Sequence, residues 1–497
     1  MTIPKEIKEV LQKLTENDFQ AFVVGGCVRD LMMGKEPTDW DITTNAKPEE
    51  IQKIFPDSFY ENEFGTVGVK VSSKENLPNA EIVDSNAEIA NSLQVVEVTT
   101  YRTETKYSDK RHPDEIKFAD KLEDDLKRRD FTINALAMDS KGKIVDLFGG
   151  QEDLKKKVVK AVGNPEERFS EDALRMLRAI RLATALGFTI EEKTTEAIKK
   201  LHSTMQVISQ ERIRDEFLKI IETPEAKQGI ELLKETGLLK YVAPELLEGV
   251  GVEQNLHHIY TVWEHNLRAL DYACSKNYSA EVRLASLLHD VGKPRAKRGQ
   301  GRNSTFYAHE MIGAKMAAQI LDRLKFPKKQ ADKIIKLVRW HLFYYNVGEV
   351  TESSVRRLVA NIGKENVEDL LKVREADRIG SGTPKAVPYK LRHLKFMIDK
   401  VARDPLSPKM LKINGGDLMQ LLNIAPGPKI GAIISALMNE ILDEPAKNKK
   451  EYLEKRVFEL NKLSEKELAD LSLQGKQKVA EKEQKEVKKI KEKHFVS

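Results

Sequence analysis

The stretch of sequence that decides the fold is residues 25–42, Gly-Gly-Cys-Val-Arg-Asp-Leu-Met-Met-Gly-Lys-Glu-Pro-Thr-Asp-Trp-Asp-Ile. The apolar run Phe22-Val23-Val24 before it predicts a buried strand that ends at Gly25-Gly26, where a backbone without Cβ atoms can approach a ligand closely. A helix is then expected to begin near Val28. Its free N–H groups and positive dipole end suit a phosphate, and Arg29 adds a fixed positive charge.

Two aspartates close this stretch. Asp39-Trp40-Asp41-Ile42 is predicted to be a second strand, and because side chains alternate along a strand, Asp39 and Asp41 are expected on the same face. Two carboxylates this close repel unless a cation lies between them, and Mg²⁺ is commonly held by one or two carboxylates plus substrate phosphates. An isolated Asp-x-Asp would more simply be a turn with solvated side chains, but the glycine pair and Arg29 favour metal-assisted phosphoryl or nucleotidyl transfer.

Four motifs in order resemble one known family. Gly-Gly-x-Val-Arg-Asp followed by Asp-x-Asp is similar to the nucleotidyltransferase head of bacterial tRNA CCA-adding enzymes and the related bacterial poly(A) polymerases. Residues 128–137, 171–175 and 211–216 resemble that family's second motif, its nucleotide-selecting motif and the segment after it. The resemblance implies an α+β fold, with a small mixed β-sheet in the head and a mostly α-helical body.

The resemblance also implies a chemistry for the head. Asp39 and Asp41 are expected to hold one or two Mg²⁺ ions while an RNA 3′-hydroxyl attacks the α-phosphorus of a nucleoside triphosphate and diphosphate leaves. Arg128-Arg129-Asp130 is otherwise a surface charge cluster; in the family reading Asp130 either orients Arg129 or lines the nucleotide pocket. The residues assigned to nucleotide binding in the head are Gly25, Gly26, Arg29, Arg129 and Asp130.

Nucleotide choice is assigned to four residues that recur every three positions. Cytosine and adenine present an amine donor beside a ring-nitrogen acceptor, so a carboxylate and a guanidinium together favour them over uracil and guanine. On a helix, each step of three drifts only about 60°, so the first three residues can line one groove. The alternative is a solvated basic helix face with one acid at its start. The four residues are Asp172, Arg175, Arg178 and Arg181.

Histidines and aspartates in the middle of the chain form a second candidate site. His265, His289-Asp290 and Asp377 are ordered as in HD-domain phosphohydrolases, and residues 287–294 resemble that family closely. Mixed nitrogen and oxygen ligands suit Mn²⁺, Fe²⁺, Ni²⁺, Co²⁺ or Mg²⁺ better than a structural zinc. His309 and His341 fall where two-metal members place extra ligands, which would permit a dinuclear site with a metal-activated water. The remaining histidines considered, which are His202, His257, His258 and His393, are interpreted as ordinary core or surface residues.

Composition sets the broad class. The chain has 497 residues, of which 32% are charged, and a net charge of +5, which is compatible with RNA binding. Its two cysteines, Cys27 and Cys274, imply no disulfide framework and suit a reducing cytosol. We find neither a signal peptide nor an 18-residue apolar span, so the protein is expected to be cytoplasmic, without a membrane partner or an implied stable protein partner.

Patterning predicts five regions. Residues 1–150 alternate apolar runs with turns, including strands at 67–71 and 95–99, and residues 103–117 are predicted to be a mobile loop. Helical spacing follows. The predicted regions are a nucleotidyltransferase head (1–150), a helical nucleotide-selecting and RNA-binding region (151–248), an HD phosphohydrolase domain (249–380), a small helical RNA-binding domain (381–445) and an exposed, charged helical tail (446–497).

Three functions stay open on the sequence. The first is a tRNA nucleotidyltransferase that adds C and A to tRNA 3′ ends from CTP and ATP, with full CCA, C-only and A-only addition not separated. The second is a poly(A) polymerase of the same family. The third is a chain that acts mainly as an HD phosphohydrolase on nucleotides or RNA ends. The intact Asp39/Asp41 and Asp172/Arg175 sets favour the first over the third, and the intact HD residues favour the first over the second.

Overall fold

A computed structural model describes residues 3–62, 65–72, 93–105, 115–255, 259–401 and 411–496 of the chain. By internal contacts the chain divides into two compact units. The first comprises Met1–His341 and Asp369–Pro384, and the second comprises Leu342–Glu368 and Lys385–Ser497. The finer division into five regions stays a prediction, and His257 and His258 lie outside the described residues.

A mixed sheet forms the centre of the head. Among the described residues it has seven strands in the order β3-β4-β5-β2-β1-β8-β9, in which β2 and β5 are parallel and the other pairs antiparallel. The predicted strands at 22–24, 67–71 and 95–99 are confirmed. The strands of the described residues are β1 (Ala21–Val24), β2 (Asp41–Thr44), β3 (Ser58–Asn62), β4 (Thr66–Ser72), β5 (Leu93–Thr100), β6 (Arg102–Thr105), β7 (Glu115–Phe118), β8 (Leu136–Met138), β9 (Ile144–Asp146), β10 (Val158–Val159) and β11 (Thr189–Ile190). Outside the seven-stranded sheet, β6 pairs with β7 and β10 pairs with β11.

Helices cover the apolar face of this sheet. In α1, Ile7, Leu11 and Leu14 recur at helical spacing and are fully buried against sheet residues such as Val23 and Ile42. The two strands β6 and β7 pair with each other at the ends of the segment predicted to be a loop, while residues 106–114 lie outside the described residues. The head helices are α1 (Lys5–Glu16), α2 (Gly26–Met32), α3 (Pro48–Ile54) and α4 (Leu122–Lys127).

Two expectations for the opening stretch need adjustment. The helix after the glycine pair begins at Gly26 rather than near Val28. Asp41 is the first residue of β2, whereas Asp39 lies in the preceding loop, so the two carboxylates do not alternate along one strand. Pro37 lacks an N–H donor, and a loop that contains Gly34 and Pro37 delays the start of the strand.

The rest of the first unit is helical apart from the short paired strands β10 and β11, which agrees with the predicted mostly helical body. The 3₁₀ turn Thr132–Asn134 precedes β8. The helices are α5 (Gly150–Lys156), α6 (Pro165–Glu171), α7 (Arg175–Leu186), α8 (Glu192–Leu201), α9 (Gln210–Ile221), α10 (Ala226–Glu235), α11 (Leu239–Val242), α12 (Val262–Ser275), α13 (Ala280–Leu288), α14 (Lys293–Ala296), α15 (His309–Arg323), α16 (Lys328–Trp340) and, shared at its start with the second unit, α18 (Val367–Gly380).

The second unit is entirely helical in its described part. Its helices are α17 (Glu352–Ile362), α19 (Tyr389–Val401), α20 (Gly415–Leu422), α21 (Pro428–Asp443), α22 (Lys450–Asn461) and α23 (Glu465–Lys493). One core joins Leu418 and Leu437 with Leu453, Val457 and Leu468, so the beginning of the predicted exposed tail is packed rather than solvated. Among the described helices, none combines the length and apolar character needed to cross a bilayer.

Candidate active site

The glycine pair brings an aspartate and an arginine together. Gly25 has a φ of 87°, a left-handed conformation that favours glycine, and it precedes the first residue of α2. A Cβ atom on residue 25 would lie 3.0 Å from Nη1 of Arg129 and 3.7 Å from Oδ2 of Asp41. The structure therefore places three predicted site residues side by side, although β2 and the segment after α4 are far apart in sequence.

The environment of Asp41 suits a bound cation, which would stabilise its ionised carboxylate. Burial raises the pKa of Asp41, the nearby Arg129 guanidinium opposes this, and the negative charge of Asp39 raises it further. The two aspartates are thus close enough to repel, and Asp39 is exposed. An all-oxygen carboxylate pair beside an open surface fits a hard divalent cation such as Mg²⁺.

A buried acid that sequence reasoning missed holds the two arginines. Asp125 is fully buried on α4, and its carboxylate lies 2.7 Å from Nη2 of Arg128 and 3.3 Å from Nη2 of Arg129. Burial opposes ionisation, but the two guanidinium groups lower the pKa of Asp125. Its i, i+3 and i, i+4 spacing to the arginines was a signal that could have revealed it. Asp125, rather than Asp130, is the acid that orients Arg129.

Asp130 instead joins the head to α7. Oδ2 of Asp130 accepts a hydrogen bond of 2.8 Å from Nε of Arg178 and lies 2.6 Å from Nη2 of the same side chain. Oδ1 of Asp130 accepts a hydrogen bond of 3.2 Å from Nδ2 of Asn134. Oδ1 of Asn134 in turn accepts a hydrogen bond of 2.8 Å from Nη1 of Arg29. Burial opposes ionisation, but Arg178 outweighs it, so the pKa of Asp130 falls to about 2. A chain of polar contacts thus links Arg29 to Arg178.

The nucleotide-selecting set does not lie on one continuous helix. Asp172 follows the end of α6 in an extended conformation, and its Oδ1 accepts a hydrogen bond from the backbone N–H of Leu174. Aspartate favours such local bonds to the backbone over a helix interior, which explains why α7 begins only at Arg175. Arg175 is buried, and its guanidinium donates to Glu171 and to the carbonyl oxygens of residues 128 and 168.

Arg181 is the last of the four predicted nucleotide-selecting residues, and it pairs with a glutamate. Its Nε lies 3.3 Å from Oε2 of Glu216, and burial lowers the pKa of Arg181 while the charge of Glu216 opposes that shift. Neither Arg178 nor Arg181 is a freely solvated surface arginine, because each faces a buried carboxylate. The four residues therefore belong to a charged layer of paired side chains rather than to a solvated basic helix face.

Comparisons with known proteins agree with this geometry. Residues 21–160 match the family described as "Poly A polymerase head domain", residues 187–249 match "Probable RNA and SrmB- binding site of polymerase A", and residues 305–457 match "tRNA nucleotidyltransferase domain 2". The CCA-adding enzyme of Enterococcus faecalis is 33% identical over 458 residues, which cover 91% of this chain and 96% of that protein. The chain belongs to the CCA-adding enzyme family. It is accordingly a nucleotidyltransferase.

Other members of the family extend the comparison. The CCA-adding enzyme of Ligilactobacillus salivarius is 35% identical over 91% of this chain and 96% of its own length. An A-adding tRNA nucleotidyltransferase of Deinococcus radiodurans is 35% identical over 64% of this chain and 74% of its own length. The crystal structure of the Bacillus stearothermophilus CCA-adding enzyme in complex with CTP superposes with a TM-score of 0.57 at 27% identity, over 93% of this chain and 98% of that one.

The predicted histidine site of this CCA-adding family member gathers into one buried cluster. Its members come from five helices or their ends: His265 from α12, His289 and Asp290 from the end of α13, His309 from α15, His341 from the end of α16, and Asp377 from α18. Two groups form, each with ligand atoms within 4.8 Å of one another. One is His265, His289, Asp290 and Asp377, and the other is Asp290, His309 and His341.

Backbone hydrogen bonds aim three of the histidines inward. Nδ1 of His289, His309 and His341 each lies 2.7 Å from the carbonyl oxygen three residues earlier. A carbonyl oxygen can only accept, so each Nδ1 carries the proton and each Nε2 of a neutral ring presents a lone pair to the cluster. The residue before His309, Ala308, has a φ of 58°, which is uncommon for a residue other than glycine. Such fixed tautomers are typical of metal-binding histidines.

The two carboxylates of the cluster have basic partners as well as the histidines. Nε2 of His265 lies 2.8 Å from Nε2 of His289, 3.0 Å from Oδ2 of Asp290 and 3.4 Å from Oδ1 of Asp377. Burial disfavours the charged imidazole of His289, but Asp290 and Asp377 raise its pKa to about 10. Lys293, whose Nζ lies 2.6 Å from Asp290, and Arg374, which forms an ion pair with Asp377, supply two cations. The donor set of imidazole nitrogens and carboxylate oxygens fits a first-row transition metal or Mg²⁺.

Proposed function

We propose that the chain is a tRNA nucleotidyltransferase that adds C and A to tRNA 3′ ends from CTP and ATP. The observation that carries the proposal is the convergence of Asp41, Arg129 and the left-handed Gly25 at the start of α2. It joins a carboxylate that suits a metal to a guanidinium and a helix start that suit a triphosphate. The CTP complex of the Bacillus stearothermophilus relative supports the assignment of substrate class.

In this proposal Asp39 and Asp41 would hold Mg²⁺, which would supply charge stabilisation at the reacting phosphate. The tRNA 3′-oxygen forms a bond to the α-phosphorus, the bond from the α-phosphorus to the bridging oxygen of the diphosphate breaks, and the hydroxyl proton passes to solvent. Gly25 and Gly26 allow the backbone to approach the phosphates. Arg29 and Arg129 neutralise the triphosphate, since Arg29 lies beside Gly26 and Arg129 is anchored by Asp125.

Base choice is proposed to rest on the charged layer around α7. Asp172 accepts the exocyclic amine of cytosine or adenine, and Arg175, Arg178 and Arg181 supply donors for ring nitrogens or hold the layer in place. Asp130 fixes Arg178 relative to the head. We expect Asp172→Ala to lower the preference for CTP and ATP more than it weakens triphosphate binding. An unchanged preference for C and A in that variant would contradict the base-reading role of Asp172.

The deciding experiment uses tRNA transcripts that lack the terminal CCA, end in C or end in CC. The purified protein is incubated with Mg²⁺ and CTP, ATP or both, and the products are sequenced at their 3′ ends. We expect CCA on the first transcript, CA on the second and a single A on the third. Addition of A only, as the name of the Deinococcus radiodurans relative describes for that protein, would narrow the function, and long A tails on arbitrary RNA would indicate a poly(A) polymerase.

We further propose that residues 249–380 form an HD phosphohydrolase. The observation that favours it is the cluster of four histidines and two aspartates, in which backbone hydrogen bonds turn Nε2 of three of the histidines inward. His265, His289, Asp290 and Asp377 would hold one metal ion, and His309 and His341 with Asp290 would hold a second. The metal would supply an activated water. A cyclic phosphodiester then gains water at phosphorus as one phosphorus–oxygen bond breaks, which leaves a phosphomonoester and a free hydroxyl.

Hydrolysis is tested separately from nucleotide addition. The protein is freed of metal, loaded with Mg²⁺, Mn²⁺, Ni²⁺ or Co²⁺, and incubated with bis(p-nitrophenyl) phosphate and with RNA ending in a 2′,3′-cyclic phosphate. We expect hydrolysis with at least one of these metals, together with metal bound to the protein after gel filtration. Metal binding without hydrolysis would restrict the cluster to a structural role. If the protein neither binds metal nor hydrolyses these substrates, the phosphohydrolase proposal is wrong.

A further inference from the structure

The helix after the nucleotide-selecting motif turns two oppositely charged side chains toward that motif. Arg212 and Glu216 lie four residues apart on α9, so they share one face. Nη2 of Arg212 donates a hydrogen bond of 2.8 Å to Oδ2 of Asp172, and Oε2 of Glu216 lies 3.3 Å from Nε of Arg181. Each therefore contacts one member of the set that the proposed function assigns to base choice.

The contact of Arg212 fixes the carboxylate of Asp172 in one orientation. Oδ1 of Asp172 accepts from the N–H of Leu174, and Oδ2 accepts from Arg212, so rotation about the terminal bond of the side chain would break both hydrogen bonds. Each carboxylate oxygen has two lone pairs, so one remains on each oxygen for a ligand. Without Arg212 the carboxylate would keep only its bond to the backbone.

Arg212 is also incompletely satisfied. Its Nη1 is buried and has no hydrogen-bond partner in the described part of the chain, although its Nη2 is bonded to Asp172. Buried donors are normally paired, and an unpaired one points to an absent partner or to a role that requires it. Glu216 is itself buried, with 5% of its surface exposed, and its charge also raises the pKa of Arg178 after the larger effect of Asp130.

We infer that Arg212 is a positioning residue for base choice. This inference rests on the proposed role of Asp172 in reading the exocyclic amine. Arg212 holds the carboxylate so that its free lone pair faces the amine of cytosine or adenine. A loosely held carboxylate could rotate and accept from the ring N–H of uracil, so loss of Arg212 lowers the discrimination between CTP and UTP.

The test measures kcat/KM for CTP and UTP in the first addition to a tRNA transcript that lacks CCA. We expect Arg212→Gln to reduce the CTP-to-UTP ratio by about 10-fold, the order expected when a charge-assisted hydrogen bond is lost. Arg212→Lys keeps a donor and a charge and should recover part of the ratio. Arg214→Gln is the matched control because Arg214 lies on the same helix and bonds to Asp215 and to the carbonyl oxygen of Lys325 instead.

Three results separate this inference from the proposed function. If Asp172→Ala lowers the ratio and Arg212→Gln lowers it no further in that background, Arg212 acts through Asp172 as inferred. If Asp172→Ala lowers the ratio but both Arg212 variants match the wild-type protein, the inference is overturned while the role of Asp172 stands. If Asp172→Ala leaves the ratio unchanged, the base-reading proposal fails and this inference fails with it. Circular dichroism and the KM for ATP identify a variant that is merely unfolded.

Discussion

At the scale of single residues, Asp41 is the most consequential side chain of the head. It lies beside Gly25 and Arg129, and burial raises its pKa, so a bound cation would stabilise its ionised form. We predict that Asp41→Asn lowers the rate of nucleotide addition by about 10³-fold, since a metal contributes several kcal/mol of charge stabilisation in the transition state.

The measurement is single-turnover incorporation of labelled CTP into tRNA that lacks CCA. Asp57→Asn is the control, because Asp57 is an exposed aspartate of the same head, and it should react at the wild-type rate. Wild-type activity in Asp41→Asn would show that this carboxylate does not take part in the reaction.

The residues that sequence reasoning found and missed differ in one physical respect. Asp41, Asp172 and the HD histidines were predicted because their chemistry calls for a charge at a recognisable spacing. Asp125 and Arg212 each contact a second charged residue, and a linear sequence signals such a pair only where the two residues are at helical spacing. Asp125 had a helical spacing to Arg129, but the contact of Arg212 with Asp172 spans 40 positions and depends on how α9 packs.

At the scale of elements, the end of α9 depends on a buried arginine of another helix. Arg283 on α13 is 5% exposed, and its Nη1 donates to the carbonyl oxygens of Ile221, Glu222 and Thr223 at 2.8–3.1 Å. The last carbonyls of a helix lack partners inside it and favour a cation. Arg283 therefore fixes the end of the helix that carries Arg212.

We predict that Arg283→Ala destabilises α9 by about 3 kcal/mol, because three buried carbonyl oxygens lose their donor. Hydrogen–deuterium exchange of peptides that cover residues 210–225 measures the local effect and should be faster in the variant. The exchange rate in Arg283→Lys should lie between the rates of the wild-type protein and Arg283→Ala. Arg357→Ala, at an exposed arginine, should leave the exchange rate unchanged. Equal protection in all variants would contradict the capping role.

A glycine sets how closely two helices of the second unit approach. A Cβ atom on Gly475 of α23 would lie 2.2 Å from the carbonyl oxygen of Ser435 on α21, a distance that real atoms do not reach. The backbone of one helix therefore rests directly on the other. By contrast, a Cβ atom on Gly431, also on α21, would meet nothing within 4 Å.

These two glycines should respond in opposite directions to the same substitution. We predict that Gly475→Ala lowers the free energy of unfolding of the second unit by about 2 kcal/mol through overpacking. Gly431→Ala should raise it by roughly 0.5–1 kcal/mol, because alanine has the higher helix propensity. Thermal unfolding followed by circular dichroism measures both, and a melting temperature for Gly475→Ala at or above the wild-type value would refute the close contact.

Hydrophobic periodicity predicted some of the strands and helices correctly and others incorrectly. Alternating or continuous apolar runs predicted β1, β4 and β5 because their side chains must face a core. The assumption that Asp172 to Arg181 form one helix was wrong, since an aspartate can bond to the backbone ahead of it and begin the helix later. The start of α23 was predicted as exposed because its charges dominate the composition, yet one apolar residue in each turn, such as Leu468, suffices to bury a face.

At the scale of the whole molecule, the two proposed sites use separate sets of residues. Asp39 and Asp41 lie before and at the start of β2, whereas the histidine cluster is built from the ends and faces of helices α12 to α18. The two sets of proposed ligands share no residue. A substitution in one set should therefore leave the chemistry of the other intact, provided that the fold is preserved.

Asp290 is the sharpest probe of this independence because it belongs to both groups of the cluster. We predict that Asp290→Asn lowers phosphohydrolysis at least 100-fold and reduces transition metal bound after gel filtration, since neither group keeps its full set of ligands. CCA addition by the same variant should stay within twofold of wild type, and Asp41→Asn should show the reverse pattern. Both activities are measured on one preparation whose circular dichroism matches the wild-type protein. If Asp290→Asn impairs both activities equally in a folded protein, the cluster supports the nucleotidyltransferase and is not an independent hydrolase, because only a shared structural role would link sites that have no ligand in common.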